Sequence, residues 1–419
     1  MISERRDREA YVWIWLSGET EPVVAGKLEA EGDAIRFNYG KSYLERIRDT
    51  PPAIPIHEPE LPLRPGKLPL LEGLNMPGCI RDAAPDAWGR RVILNGILGI
   101  RGADIDTAEV GELTYLLESG SDRIGALDFQ RSPSEYAPRS AENASLEELL
   151  ESAERIEKGM PLRPDLDQAL FRGSSIGGAR PKALIQDGDV KYIAKFSSSA
   201  DLYPVARAEF LAMKLAMLAG LEVAPVKLAS AAGKDVLLIE RFDRVRTPEG
   251  WTRKAMVSAL TLLGLDEMMA RYAGYDTLAE IVRHRFVRPR ETLKELFSRL
   301  VFNILCGNTD DHARNHAAFW DGQRLALTPA YDICPQPRSG NEASQAMRIA
   351  GNDNLSCLKT CLKAAPDFLL SPEEVRAIFE RHRATIETHW DAACDEAGLG
   401  EADRKMFWRR QFLNPFAGM

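Results

Sequence analysis

One polar segment near residue 310 constrains this chain more than any other feature of its sequence. Residues 308–315 read NTDDHARN, and the segment YDI follows at residues 331–333. Asp310 lies five residues before Asn315, and Asn315 lies seventeen residues before Asp332. Phosphoryl transfer of the protein-kinase type needs a carboxylate that accepts a hydroxyl proton, an asparagine shortly after it and a later aspartate for magnesium. The segment therefore predicts phosphoryl-transfer chemistry.

Two other interpretations of this segment stay open on the residues alone. Polar residues of these types also favour an ordinary capped turn. His312 and His316, together with Asp310 and Asp311, could instead bind zinc or manganese for hydrolysis, although this spacing is common by chance. The phosphoryl-transfer interpretation makes Asp310 the base, Asn315 a magnesium ligand and His312 a residue that fixes the loop by hydrogen bonds. It leaves His316 without a role.

A lysine inside an apolar strand is the second candidate. Residues 192–196 read YIAKF, and burying Lys195 there is costly unless it has a partner. Residues 204–219 predict an amphipathic helix, on which Glu209 is the natural partner. In a kinase such a pair holds the ATP phosphates. The alternative is an edge-strand lysine whose ammonium group reaches water.

A glycine-rich segment and a charged strand end complete the set. Residues 173–182 read GSSIGGARPK, a turn between two predicted strands whose backbone amides could cradle phosphate. An ordinary hairpin loop is the alternative. Residues 238–244 read LIERFDR and fit a hinge between lobes, where backbone groups bind adenine and a carboxylate binds ribose. The alternative there is a surface strand end with weak ion pairs.

Composition limits the class of protein. A chain of 419 residues is too long for one simple core, so two or three domains are expected. The net charge of −8 gives no general affinity for nucleic acid. Six scattered cysteines suit a reducing cytosol. We find neither a signal peptide nor an apolar run of membrane-spanning length, and therefore expect a cytoplasmic protein without a membrane partner.

The order of the motifs suggests three domains. Residues 1–105 are predicted to form a β-containing N-terminal unit. Residues 106–245 would carry the phosphate loop, the lysine strand and the hinge, and residues 246–419 would form a helical part with the catalytic and metal loops. Capping boxes are predicted at Ser145 and Ser371, ahead of two of the helices.

Taken together, these motifs resemble the HipA-type toxin kinases of bacterial toxin–antitoxin modules. The resemblance rests on residues 174–182, 239–244, 307–315 and 331–333, and on the N-terminal segment DAAPDAWGR at residues 82–90. It covers nearly the whole chain, from about residue 8 to about residue 400. It implies an α+β, bilobal protein-kinase-like (HipA-like) fold with an N-terminal β-containing subdomain and a mostly helical C-lobe.

The resemblance also implies residue roles, with ATP and Mg²⁺ as cofactors. The implied catalytic residues are Asp310, His312, Asn315, Asp332 and Lys195, with Asn315 and Asp332 as metal ligands. The implied nucleotide contacts are Gly177, Gly178, Ala179, Arg180, Lys182, Lys195, Glu209, Glu240, Arg241, Phe242, Asp243, His312, Arg314, Asn315, Tyr331 and Asp332. Ser175, or its neighbour Ser174, would be the site of inactivating autophosphorylation, because a phosphate adds about two negative charges beside ATP.

The function implied is that of a serine/threonine protein kinase that inhibits growth by phosphorylating a cellular protein, for example one used in translation. A small helix-turn-helix antitoxin would neutralise it, and DNA contact would arise through that complex. Two alternatives stay open: a small-molecule kinase of the same fold, and a catalytically silent pseudokinase that binds antitoxin or DNA. Three positions depart from the family pattern: Arg180 and Pro181 stand in place of Gln and Glu, and Arg314 stands in place of Lys.

Overall fold

The computed structural model describes residues 7–98, 110–139, 145–158, 160, 175, 178, 180–198 and 201–418. Its strands are β1 (Glu9–Ile14), β2 (Val23–Glu31), β3 (Ala34–Tyr39), β4 (Leu127–Gln130), β5 (Lys182–Asp187), β6 (Val190–Phe196), β7 (Val226–Ala231), β8 (Lys234–Glu240), β9 (Arg244–Thr247), β10 (Gly250–Arg253), β11 (Met256–Ser258), β12 (Ala317–Trp320) and β13 (Leu325–Leu327).

The α-helices within the described residues follow the same chain order. They are α1 (Lys41–Glu45), α2 (Gly78–Arg81), α3 (Ala87–Leu98), α4 (Glu112–Glu118), α5 (Leu146–Glu157), α6 (Val205–Leu218), α7 (Ala259–Leu262), α8 (Tyr275–Arg285), α9 (Pro289–Cys306), α10 (Leu358–Ala364), α11 (Pro372–Glu396) and α12 (Glu401–Phe407). None of the helices in the described ranges is both long and apolar enough to cross a membrane.

Internal contacts divide the chain into two compact units. The first unit comprises Met1–Ser198, Ser230–Val257 and Trp320–Gln323, and the second comprises Ser199–Ala229, Ser258–Phe319 and Arg324–Met419. The first unit contains most of the strands, and the second contains the longest helices, α9 and α11. The three domains predicted from the motif order have other boundaries than these two units, and that division stays a prediction.

The N-terminal part of the first unit is an antiparallel sheet in the order β3-β2-β1-β4. Strands β2 and β3 form a hairpin, since Glu31 pairs with Ala34 on either side of the Gly32-Asp33 turn. In β3 every second residue is buried, at Ile35, Phe37 and Tyr39. This alternation places one face of the sheet in the core of the unit, as a period of two requires.

A second antiparallel ladder in the first unit joins β5 to β6 and β6 to β8. The turn between β5 and β6 consists of Gly188 and Asp189, and Gly188 has φ +58°, a conformation that suits glycine. The expected glycine-rich turn between two strands is therefore only partly matched. Its described residues precede β5, and residues 171–174 lie outside the described part of the chain.

Helix ends in both units follow the sequence signals. The hydroxyls of Ser145 and Ser371 each accept a hydrogen bond from the backbone N–H three residues later. The glutamate at that position accepts a hydrogen bond from the backbone N–H of the serine. Both predicted capping boxes are confirmed, and each is worth roughly 1 kcal/mol. Helix α6 begins after Pro204, as predicted, and covers nearly the whole predicted range.

The core of the second unit surrounds α9. This helix buries Leu293, Leu296, Phe297, Leu300, Val301, Ile304 and Leu305. It packs against α8 and α11, and α11 also packs against α6. Helix α9 ends at Gly307, whose φ of +77° is left-handed. A Cβ atom there would lie 2.7 Å from the carbonyl oxygen of Gln411, so both conformation and space require glycine. The polar loop that follows therefore starts from a fixed point of the core.

Candidate active site

The loop after α9 is held by its own backbone. The carbonyl oxygen of Asp310 accepts hydrogen bonds from the N–H of His312 at 2.9 Å and from Nδ2 of Asn315 at 3.0 Å. The N–H of Asn315 donates to the carbonyl of His312 at 2.8 Å, within a short 3₁₀ turn, Ala313–Asn315. Because the amide NH₂ of Asn315 donates to Asp310, its Oδ1 remains the oxygen that can ligate a cation.

The segment with Asp332 is tied to this loop. The hydroxyl of Tyr331 donates to the carbonyl oxygen of Arg314 at 2.8 Å. Asp332 has φ +59°, a left-handed conformation that costs a non-glycine residue about 1 kcal/mol or more and that recurs at functional sites. Asp310, Asn315 and Asp332 are thereby grouped within the second unit.

The negative charge of Asp332 contributes to the pKa shift of Asp310. Burial raises the pKa of the Asp310 carboxyl above its usual range, the charge of His312 lowers it, and the charges of Asp332 and Asp311 raise it further. A raised pKa suits a group that must take up a proton, since a stronger base accepts it more readily. Asp310 is also exposed, so a substrate can reach it.

A buried polar cluster lies directly behind Asp310. Nε2 of His316 is 2.8 Å from Oδ1 of Asp311 and 3.0 Å from the hydroxyl of Tyr275, and that hydroxyl also donates to Oδ2 of Asp311. Burial alone would raise the pKa of Asp311, but the charge of His316 and hydrogen bonds from His316 and Tyr275 lower it overall. The cluster anchors the loop in the core.

Two earlier expectations about the histidines change. His316 has a structural role as the partner of Asp311, whereas we had left it without one. The imidazole of His312 is not what fixes the loop, because its buried Nδ1 meets no hydrogen-bond partner among the described residues. Only the backbone of His312 makes those bonds. Within the described ranges, no group of three or more His, Cys, Asp or Glu side chains is placed to hold a metal ion.

In the first unit, Lys182 and Lys195 face each other across the β5–β6 ladder. Lys182 is 5% exposed and Lys195 is partly buried. Side chains at paired positions of an antiparallel ladder are close neighbours, so both ammonium groups could contact the same anion. Glu209, the predicted partner of Lys195, is buried in α6 of the second unit. The Lys195–Glu209 pair stays a prediction.

Part of the predicted phosphate loop can be placed. Gly178, Arg180 and Ser175 are described, whereas Gly177, Ala179 and Ser174 lie outside the described residues. Ser175 is 2% exposed, and its Oγ has no hydrogen-bond partner among the residues that the structure describes. A phosphate could reach Ser175 only if this part of the loop moved.

The predicted hinge has a different role for two of its residues. Arg241 donates to both carboxylate oxygens of Asp243, at 2.9 and 2.7 Å, and Arg244 donates to Oδ2 at 2.9 Å. The N–H of Gly125 donates to the same oxygen at 2.8 Å. Burial would raise the pKa of Asp243, but the charges of Arg241 and Arg244 lower it to about 2. Asp243 is 2% exposed.

The Asp243 carboxylate, which we expected at the ribose, is instead held by two arginines, whereas the adenine contact expected from the hinge backbone at Arg241 stays a prediction. Both side chains are buried and hold the segment around Asp122, to whose carbonyl oxygen Arg241 donates at 2.9 Å. The partners are about 120 residues apart in sequence, and no local pattern signals such a pairing. Glu240 and Phe242 are only partly buried, so they remain candidate nucleotide contacts.

Arg314, which departs from the family pattern, forms an ion pair across the surface of the second unit. Its Nη1 lies 2.6 Å from Oε1 of Glu267. Glu267 is largely exposed, and an exposed pair of this kind contributes at most about 1 kcal/mol. Binding of an anion could therefore exchange one partner of Arg314 for another at small cost.

Two protein-family models match most of the chain. Residues 14–130 match the HipA N-terminal domain, and residues 174–390 match the HipA-like C-terminal domain. Segments of the chain also match curated proteins. One is "Putative kinase Y4mE" of Sinorhizobium fredii, 29% identical over 195 residues, or 43% of this chain and 46% of that protein. Another is the serine/threonine-protein kinase toxin HipA of Shewanella oneidensis, 26% identical over 144 residues, or 30% of this chain and 33% of that protein.

One solved structure matches nearly the whole chain. It is HipA of Shewanella oneidensis MR-1 in a complex with HipB and operator DNA, with a TM-score of 0.66 and 18% identity over 97% of this chain and 99% of that one. Mixed sheets and helices of this arrangement define the kinase-like α+β class that the motifs predict. Within that class, the two matched domains show that the chain belongs to the HipA family. The chain spans about half the length, or less, of the two curated relatives named above.

Proposed function

We propose that the chain is an ATP- and Mg²⁺-dependent serine/threonine protein kinase in which Asp310 is the catalytic base. One observation carries the proposal: the Tyr331–Arg314 hydrogen bond and the Asn315–Asp310 hydrogen bond bring Asp310, Asn315 and Asp332 into one group. Membership of the HipA family supports it. Asp310 would orient the substrate hydroxyl and take its proton as the bond to phosphorus forms.

The donor set fits magnesium. Asp332 offers carboxylate oxygens and Asn315 offers Oδ1, and Mg²⁺ prefers hard oxygen ligands of these types. Mg²⁺ usually takes only one or two carboxylates from the protein and completes its shell with water and phosphate, so a large acidic cluster is not needed. When bound, the ion would neutralise charge on the nucleotide phosphates.

The nucleotide would be bound by residues of the first unit. Lys182 and Lys195 supply two positive charges on neighbouring strands, which complement a triphosphate. Gly178 and Arg180 would contribute on the phosphate loop, and Glu240 and Phe242 at the end of β8. Arg314 and Tyr331 are proposed contacts in the second unit.

Partners and regulation are proposed by analogy with the family. The substrate would be a cellular protein, the inhibitor a small helix-turn-helix antitoxin, and DNA would be met through that complex, as the HipA–HipB–operator assembly suggests. Ser175 would be the autophosphorylation site. Its burial supports a switch, because a charged phosphate cannot stay in that environment and would drive the loop out.

The experiment is magnesium-dependent ATP turnover by the 419-residue chain and its Asp310→Asn variant. We expect the variant to lose about a hundredfold or more of the activity, the usual contribution of a positioned base. Asp391→Asn, on the exposed side of α11, is the matched control and should keep full activity. A wild-type protein that consumes no ATP and labels neither itself nor any lysate protein would refute the proposal.

A growth assay tests the toxin role separately. Expression of the wild type should arrest bacterial growth, expression of Asp310→Asn should not, and a co-expressed small helix-turn-helix protein encoded beside it should relieve the arrest. Normal growth during expression of an enzyme that turns over ATP would favour a small-molecule kinase of the same fold.

A further inference from the structure

The segment Asp86–Trp88 contacts the predicted phosphate loop within the first unit. The N–H of Gly178 donates a hydrogen bond to Oδ2 of Asp86. The N–H of Trp88 donates to the carbonyl oxygen of Gly178 at 3.3 Å, and the indole Nε1–H of Trp88 donates to the carbonyl oxygen of Lys182 at 3.2 Å. Both polar backbone atoms of Gly178 are therefore held by residues about 90 positions earlier in the chain.

These contacts fix the backbone conformation of Gly178. Gly178 has φ +109°, which side-chain-bearing residues rarely adopt. A Cβ atom at Gly178 would lie 2.1 Å from Nζ of Lys182, so the lysine ammonium group rests against the glycine backbone. Trp88 is fully buried and cannot shift without disturbing the core. The position of the ammonium group is thus linked to the conformation of Gly178, and that conformation to Asp86 and Trp88.

A carboxylate at residue 86 has a specific effect here. Asp86 immediately precedes α3, at the position where an aspartate commonly bonds free N–H groups of the helix. One of its oxygens, Oδ2, accepts a hydrogen bond from the N–H of Gly178. A hydrogen bond to an ionised acceptor is roughly twice as strong as one between neutral groups. The bond therefore opposes rotation of the Gly178 peptide more strongly than an amide or hydroxyl would.

We propose that Asp86, supported by Trp88, is a positioning residue for a nucleoside triphosphate: it holds Gly178 so that Lys182 and the loop meet the phosphates in a ready conformation. The inference rests on the proposed function for the identity of the ligand. It assigns a role to the N-terminal segment 82–90, which that function left unused. Asp86 acts through Gly178 and does not itself touch the nucleotide.

The first readout needs no activity. Hydrogen–deuterium exchange of peptides that contain Gly178 should be slow in the wild type and faster in Asp86→Ala, because the acceptor of that N–H is gone. Peptides of the β3-β2-β1-β4 sheet should exchange at the same rate in both proteins. Unchanged exchange at Gly178 in Asp86→Ala overturns the inference, whether or not the protein turns over ATP.

The second readout separates positioning from general structural support. Asp86→Ala should raise the KM for ATP about tenfold while kcat changes less than about threefold, because ground-state contacts to the phosphates are lost. Asp86→Asn keeps an acceptor oxygen and should recover most of the affinity. Asp33→Ala, on the exposed hairpin turn of the same unit, is the control and should behave as wild type. A fall in kcat with unchanged KM contradicts the proposal.

Two milder variants, Trp88→Phe and Asp86→Asn, keep the test decisive if Asp86→Ala does not fold. Trp88→Phe removes the indole hydrogen bond to the carbonyl oxygen of Lys182 and keeps an aromatic ring in the core, so we expect a KM increase of about threefold. Asp86→Asn should show a measurable increase of about twofold or more, because it replaces a charged acceptor with a neutral one. If both variants fold and show the wild-type KM, the positioning role is wrong. If the wild type has no ATP turnover but exchange at Gly178 still depends on Asp86, the Asp86–Gly178 contact is confirmed and the proposed function is wrong.

Discussion

Asp310 and Asp311 are neighbours in sequence whose surroundings shift their pKa values in opposite directions. Partial burial and the negative charge of Asp332 raise the pKa of the Asp310 carboxyl, although this side chain still reaches solvent. His316 and Tyr275 lower that of Asp311 against the effect of burial, and Asp311 is 1% exposed. Such divergence is a common sign that two carboxylates have separate roles. The first is suited to accept a proton and the second to stay ionised as an anchor.

Also at the residue scale, the buried imidazole of His382 makes the free energy of unfolding depend on pH in the acid range. It is fully buried on α11, with its ring 5.8 Å from that of Phe302, and burial lowers its pKa to about 3. The folded protein therefore keeps His382 neutral where the unfolded chain, with an ordinary histidine pKa of about 6.5, takes up a proton. The contribution of His382 to the free energy of unfolding is therefore present above about pH 6.5 and is lost as the pH falls toward about 3.

We expect His382→Leu to reduce that acid sensitivity. Between pH 7 and pH 5, the free energy of unfolding of the wild type should fall by about 2 kcal/mol more than that of the variant. Urea unfolding at the two pH values measures the difference. The control is His389→Leu, at an exposed position on the same helix, which should keep the wild-type response. Equal acid sensitivity in wild type and His382→Leu would contradict the assignment.

At the scale of elements, the position of the candidate catalytic loop depends on how α9 ends. Gly307 combines a left-handed backbone with close contact to Gln411. Gly307→Ala should destabilise the protein by about 2 kcal/mol or more, from backbone strain and a steric clash, and should lower kcat by displacing Asp310. Thermal unfolding and ATP turnover of the same preparation check both effects.

Gly220, at the end of α6, provides a matched comparison. It also has a positive φ, +85°, but a Cβ atom there would have open space around it. Gly220→Ala should therefore carry the cost of backbone strain alone and leave kcat unchanged. Equal destabilisation by the two substitutions would mean that the contact with Gln411 contributes nothing.

Local signals predicted the elements well and the polar contacts between them poorly. The caps at Ser145 and Ser371 and the start of α6 each depend on a few adjacent residues, and all are confirmed. The pairing of Arg241 with Asp122 joins distant parts of the chain. No periodicity encodes it, so the hinge interpretation assigned those buried charges to a ligand.

The cluster behind the candidate catalytic loop shows the same limit. Asp311 and His316 are close in sequence, and together with Asp310 and His312 they fit the alternative of a zinc or manganese site. Tyr275, the third member, lies 36 residues before Asp311 and carries no motif. Only the packing of α8 beside α9 reveals that the histidine bonds to a buried carboxylate.

For the whole molecule, the first unit joins residues from both family domains. Arg241 and Gly178 lie in the segment that matches the C-terminal domain, and they bond to Asp122 and Asp86 in the segment that matches the N-terminal domain. The buried guanidinium of Arg241 also lies 3.1 Å from Oδ1 of Asp122, so removing that carboxylate would leave a buried charge without one of its partners. The N-terminal domain is therefore part of the structure that supports the proposed nucleotide site.

The most direct test of the account is phosphate transfer to protein. The chain would be incubated with Mg²⁺, labelled ATP and a bacterial lysate, and phosphorylated residues would be identified by mass spectrometry. We predict phosphoserine or phosphothreonine on a lysate protein, phosphate on the peptide with Ser174 and Ser175, and neither product with Asp310→Asn. Equal phosphorylation by the wild type and Asp310→Asn, or none by either, would contradict the account.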